Sequence, residues 1–107
     1  VPSGTIGVYK IIYDPTGEIA SIGCGIISSR LSRHKSVFLN KGIAIDNPGG
    51  TSNSSATGSH MYKHDTHRHN WSFIWCSITN RSLADEYEDI LIKTENPLFN
   101  NEGMGGK

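Results

Sequence analysis

Five polar residues stand on stretches that are otherwise apolar: Tyr9, Arg30, His34, Glu88 and Asn100. A guanidinium presents a planar fork of N–H donors that grips anionic oxygens in pairs. An imidazole titrates near neutrality and can pass a proton on. A phenol held on a strand offers a rigid hydroxyl. A carboxylate at the edge of an apolar face needs a partner, because burying it alone is costly. Taken singly, each has a commonplace role: a tyrosine packed in the core with its hydroxyl bonded, an arginine in a surface ion pair, a satisfied core histidine, a glutamate beside an arginine, an asparagine capping a loop.

The elements that must position them follow from the pattern. Thr5 to Tyr13 is rich in β-formers and predicts a strand. Asp14-Pro15-Thr16-Gly17 is a turn, and Glu18 to Ile22 a second strand, so the pair forms an antiparallel hairpin. Cys24-Gly25 breaks it. A helix is expected over Ile27 to Leu39, with Ile27, Leu31 and Phe38 on one face and His34 inside that apolar arc. Arg30 lies four residues before His34, which makes them neighbours. Residues 40–57 read as loop, followed by a short helix near Ser55 to Lys63. Trp71 to Ile78 alternates aromatic and polar and predicts a third strand, with Trp71, Phe73 and Trp75 toward the core. A capping-box variant at Ser82 opens a helix to about Thr94. Leu83, Tyr87, Ile90 and Leu91 are its expected buried stripe, Asp85 lies on the wet side, and Glu88 sits between Ala84, Leu91 and Ile92. The order predicts one α+β domain over residues 1–107, a small three-stranded antiparallel sheet flanked by helices.

The ordered motifs Gly7-Val8-Tyr9, Ser21-Ile22-Gly23 and Arg30-Leu31-Ser32-Arg33-His34 resemble the GIY-YIG nuclease superfamily. Glu88, with Pro97 nine residues on and Asn100 twelve on, is similar to that family's metal-binding glutamate and its closing Pro-x-aromatic-Asn. The resemblance spans Gly7 to Asn100 and implies a metal-dependent DNA endonuclease. It implies Tyr9, Arg30, His34, Glu88 and Asn100 as catalytic residues and Gly7, Ser21 and Gly23 as motif backbone. Glu88 would hold Mg²⁺ or Mn²⁺, and one carboxylate suffices because Mg²⁺ keeps waters and takes phosphate oxygens as ligands. Arg30 would grip the phosphate, Tyr9 would orient or deprotonate the attacking water, and His34 would relay the proton. Ser21 stands where the family has its second motif tyrosine. An alternative is therefore a catalytically degenerate domain that binds DNA or protein.

The histidines suggest a third reading. His60, His64, His67 and His69 lie within ten residues of each other, and His60 and His64 are four apart, a spacing that aims two ligands at one ion on a helix. A zinc-binding module is thus a further alternative to a polar loop. The two cysteines read as free thiols.

Lysines and arginines number ten, as do aspartates and glutamates, so the formal charge is zero. That balance argues against strong non-specific nucleic-acid binding. Distribution can still make a basic face, and Arg33, Lys35, Lys41, Lys63 and Arg68 are assigned to DNA contact. No run is long enough to span a membrane, no secretory signal is evident, and the expected location is cytoplasmic; the start at Val1 suggests an excerpted chain. Zero net charge predicts a DNA affinity that depends weakly on salt. Filter binding from low to moderate salt should give a log–log slope of roughly −2 to −4, the release expected for a few phosphate contacts; a much steeper slope refutes the small basic footprint.

Overall fold

The structure, a computed structural model, describes residues 1–46, 48–50 and 52–99, with residues 52 and 53 described by backbone alone. The chain is α+β. Its elements are β1 (Ile6–Tyr13), β2 (Glu18–Ile26), α1 (Ile27–Leu39), β3 (Ile45–Asp46), β4 (Ser52–Asn53), α2 (Ala56–His64), a 3₁₀ turn (Arg68–Asn70), β5 (Trp71–Ser77) and α3 (Arg81–Glu95). A three-stranded antiparallel sheet runs in the order β2-β1-β5, and β3 and β4 form a separate two-stranded ladder within the expected loop.

Alternation along β1 divides the core in two. Tyr9 and Ile11 pack with Ile27, Phe38, Met61 and Phe99, on the side of α1 and α2. Val8 packs with Ile22, Cys24 and Ala84, on the side of α3. The β1–β2 register shifts between Ile11 and Ile12, whose partners are Ser21 and Ile19. Ala20 is the extra residue of this bulge, and it joins the α1-side cluster. After α3 the chain turns back along β2, where Leu98 and Phe99 donate their N–H groups to the carbonyls of Ile19 and Ala20. The outer edge of β2 is covered there.

Four expectations change. β2 continues to Ile26 and takes in Gly23, Cys24 and Gly25. The cap of α3 is Asn80, whose side chain accepts from the Leu83 N–H at 2.9 Å, not Ser82. The buried stripe of α3 is rotated: Ala84 and Glu88 are buried, with Leu91 and Ile92 packed beside them, while Leu83, Tyr87 and Ile90 are exposed. Positions 84, 88, 91 and 92 follow i, i+4, i+7, i+8, so the helix is amphipathic about a glutamate. β5 is also more exposed than its aromatics suggest. It is an edge strand, and Phe73 and Trp75 are open to solvent, so only Trp71 packs against the core. Among the described residues, no helix is long and apolar enough to cross a membrane.

Ile27 is 0% exposed and Ile90 57%. Ile27→Ala should cost about 2–5 kcal/mol, the range for deleting a buried aliphatic chain. Ile90→Ala should stay within about 0.5 kcal/mol. Urea unfolding of both variants checks the phase of α3: equal losses would mean that Ile90 is buried after all.

Candidate active site

A cleft of about 450 Å³ opens where β2 runs into α1 and α3 begins, and Tyr9, Arg30, His34 and Glu88 all line it. Tyr9 comes from the α1 side of the sheet and Glu88 from the α3 side. They meet beside β2 because the tyrosine crosses that strand. Tyr9 pairs with Gly23 in the β1–β2 register, and a Cβ at Gly23 would overlap the phenol ring and oxygen. Glycine is required there by the close approach, and with it the hydroxyl reaches past β2 to the helix beyond.

On that helix the Tyr9 hydroxyl is 2.7 Å from His34 Nε2. His34 Nδ1 is 2.6 Å from Ser55 Oγ, and Ser55 caps α2 by accepting the Gly58 N–H at 2.8 Å. Burial, and after it the charges of Arg30 and Arg33, together lower the imidazole pKa to about 4. At neutral pH the ring is therefore uncharged and carries one N–H. The chain Tyr9–His34–Ser55 then has two polarities. In one, Tyr9 donates to Nε2 and Nδ1–H donates to Ser55. In the other, Ser55 donates to Nδ1 and Nε2–H donates to Tyr9, which leaves the phenol proton free to point into the cleft. Burial raises the Tyr9 pKa above its ordinary value against the opposing charge of Arg30, and Glu88 and Cys24 raise it further. The phenol stays protonated and does not act as a free phenolate base.

Glu88 is only 5% exposed. Its carboxylate, the Asp85 carboxylate and the Cys24 thiol offer ligand atoms within 4.8 Å of one another. The Cys24 thiol donates to Asp85 Oδ1 at 2.9 Å, and Arg81 Nε donates to the same oxygen at 3.3 Å. Burial pushes the thiol pKa up to about 12, with the hydrogen bond to Asp85 and the charge of Glu88 acting in the same direction. Gly25, at φ +123, leaves room for the guanidinium groups of Arg30 and Arg81, whose atoms lie 3.2 and 3.4 Å from where its Cβ would be. The cleft thus sets the cations Arg30, Arg33 and Arg81 around the carboxylates of Asp85 and Glu88.

Ser21 and Gly23 line this cleft as well, whereas Gly7 works elsewhere: a Cβ on it would overlap the Cys76 carbonyl, so it serves the β1–β5 contact. Asn100 lies outside the described residues. Of the residues assigned to DNA contact, Arg33 borders the cleft, and Lys35 and Arg68 border a separate groove between α1 and β5. Lys41 and Lys63 are exposed and line neither. Within the histidine cluster, His60 and His64 make aromatic contacts, whereas His67 and His69 are exposed. His60 and His64 stack against Phe99, His64 also meets Tyr13 and Trp71, and His67 Nδ1 is 3.0 Å from Asp65. Among the described residues, the three-ligand group found is Cys24, Asp85 and Glu88, and it contains no histidine.

Sequence reasoning missed Cys24, Asp85, Arg81 and Ser55 as parts of this cleft. The signals were faint. Asp85 lies three residues before Glu88 on the same helix, and Ser55 opens α2 three residues before Gly58. No protein-family model, curated protein or solved structure matches the chain.

The depressed pKa of His34 has a stability consequence. Unfolded, the ring titrates near its ordinary 6.5; folded, near 4. Between these values the unfolded chain binds a proton that the folded chain does not, so stability falls as pH drops from 6.5 to 4. The loss attributable to this group is about 3 kcal/mol at most. Urea unfolding at pH 7 and pH 4.5 should show a smaller difference for His34→Gln than for the parent. Equal differences would mean that the imidazole is not held neutral.

Proposed function

We propose that this cleft hydrolyses a phosphodiester of DNA with the help of a divalent cation. The observation that carries the reading is convergence: a phenol from β1, a guanidinium and an imidazole from α1 and a carboxylate from α3 line one cleft. These are the groups that the resemblance to the GIY-YIG superfamily implies as catalytic. Each is also what the reaction requires: charge at the phosphate, a positioned water and somewhere for its proton to go.

The donor set fits a divalent cation. Glu88 and Asp85 would hold it through carboxylate oxygens, which suit Mg²⁺ or Mn²⁺. When bound, such an ion supplies Lewis-acid charge to the phosphate and to the leaving oxygen. The remaining work belongs to the chain. Arg30 and Arg33 bind the non-bridging phosphate oxygens and neutralise charge as it builds. Tyr9, rigid across Gly23, fixes the water in line with the P–O bond that breaks. As the water oxygen bonds to phosphorus, its proton passes to the Tyr9 oxygen while the phenol proton moves to His34 Nε2. This requires the polarity in which Nδ1–H donates to Ser55. The leaving oxygen takes a proton from solvent, and His34 returns the phenol proton as the water's proton is released, which resets the ring. The arginines disfavour a lasting imidazolium, so His34 passes the proton on rather than storing it.

A second reading rests on Ser21. It is buried in the cleft where the resemblance calls for a tyrosine, and a serine is too short to replace that hydroxyl. A domain that binds DNA without cutting it is the alternative. The deciding experiment incubates the chain with plasmid and oligonucleotide DNA in Mg²⁺ or Mn²⁺. The parent should cleave. Tyr9→Phe, which keeps the ring over Gly23, should cut roughly 10²-fold more slowly or worse, and Glu88→Gln should lose cation-dependent cleavage, with circular dichroism to establish folding. Equal rates for Tyr9→Phe and the parent would assign water activation to another group. Retained DNA binding without any cleavage would favour the binding reading.

A further inference from the structure

We propose that Cys24, Asp85 and Glu88 form a three-ligand site for a thiophilic divalent ion of the zinc class. The proposal deepens the reading of Glu88 as a metal ligand and rests on it. Its particular content is the thiol. Mg²⁺ takes hard oxygen donors, so a sulfur in the ligand group contributes nothing to it; Zn²⁺, Co²⁺ and Cd²⁺ bind thiolate well.

Three observations support it. First, the ligand atoms lie within 4.8 Å of one another. A tetrahedral zinc at ordinary bond lengths holds its sulfur and oxygen ligands about 3.6 Å apart, so side-chain shifts of about 1 Å close the site. Second, the ligands come from rigid elements: Cys24 from the middle of β2, Asp85 and Glu88 from one turn of α3. Third, all three residues line the cleft, with Cys24 and Glu88 buried in its wall and Asp85 exposed at it. Three protein ligands and an open fourth position facing a cleft make the arrangement of a reactive zinc site rather than of a closed structural one. A thiolate and two carboxylates bring three negative charges to an ion carrying two positive ones. Arg81, already bonded to Asp85 Oδ1, offsets the excess. On binding, the sulfur–metal bond forms as the S–H bond breaks, and the proton leaves to solvent.

The test is Co²⁺ titration of the full chain under a non-thiol reductant, without DNA, in a Cys76→Ser background that removes the exposed second thiol. Binding should produce an intense ultraviolet thiolate-to-cobalt charge-transfer band with tetrahedral visible bands, and Zn²⁺ should abolish both by displacement. Cys24→Ser should lose the charge-transfer band. Cys24→Ser, Asp85→Asn and Glu88→Gln should each weaken Co²⁺ by about 100-fold or more, at least the upper end of what losing a mere partner of a ligand costs. No charge-transfer band in the parent, or an unchanged band in Cys24→Ser, overturns the site. Cleavage in Mg²⁺ is assayed in parallel. Cutting without a band overturns the thiolate site alone, and a band without cutting overturns the nuclease reading alone.

Discussion

The phenol of Tyr9 lies across Gly23, and the arrangement of the cleft depends on that contact. A side chain on β1 would ordinarily stop at its own face of the sheet. With no Cβ opposite, the ring passes over β2 and delivers its hydroxyl to His34 on α1. The same crossing brings a residue from the α1 side within electrostatic reach of Glu88 on the α3 side. The packing that buries the ring also raises its pKa, so geometry and acidity have one cause. A strand glycine weakens a strand in isolation; in this fold it creates the passage that joins the two halves of the core.

α3 shows a related economy. Its inward stripe carries a carboxylate where an amphipathic helix normally carries an aliphatic chain. Burying that carboxylate is unfavourable without compensation, and cationic groups gather around the cleft it faces: Arg30 and Arg33 from α1 and Arg81 from the first turn of α3 itself. The helix is anchored at its other end by the pair between Lys10 on β1 and Glu95, at 2.6 Å. Ala84, small and fully buried, lets the helix lie close to the sheet beside the glutamate.

Much of this was legible in the residues. α1 was bounded correctly because Ile27, Leu31 and Phe38 mark a helical face without competition from turn residues. The three main strands were found because β-branched and aromatic runs are bounded by clear breakers. The errors have physical causes. Cys24-Gly25 reads as a break, yet β2 continues through it, because Gly23 accommodates the Tyr9 ring and Gly25 the arginines. The phase of α3 differs because periodicity counts apolar side chains: Leu83, Tyr87 and Ile90 draw the inner face toward themselves and leave Glu88 at its edge, whereas Glu88 lies at its centre. Phe73 and Trp75 looked like core because aromatic content carries no information about whether a strand is central or at an edge. In the cleft, Tyr9, Arg30, His34 and Glu88 could be picked out as polar groups on apolar elements. Cys24 and Ser55 could not, since a buried thiol and a helix-capping serine have ordinary reasons to exist.

Ser55 has two duties that cannot be separated. The oxygen that accepts the first-turn N–H of α2 also holds the imidazole of His34. The first turn of a helix is where local opening is easiest. When that turn opens, the imidazole loses its Nδ1 partner. The proton path between Tyr9 and His34 is therefore only as long-lived as the closed state of one helix end, so the local stability of α2 is written into the protonation geometry of a group in the neighbouring cleft.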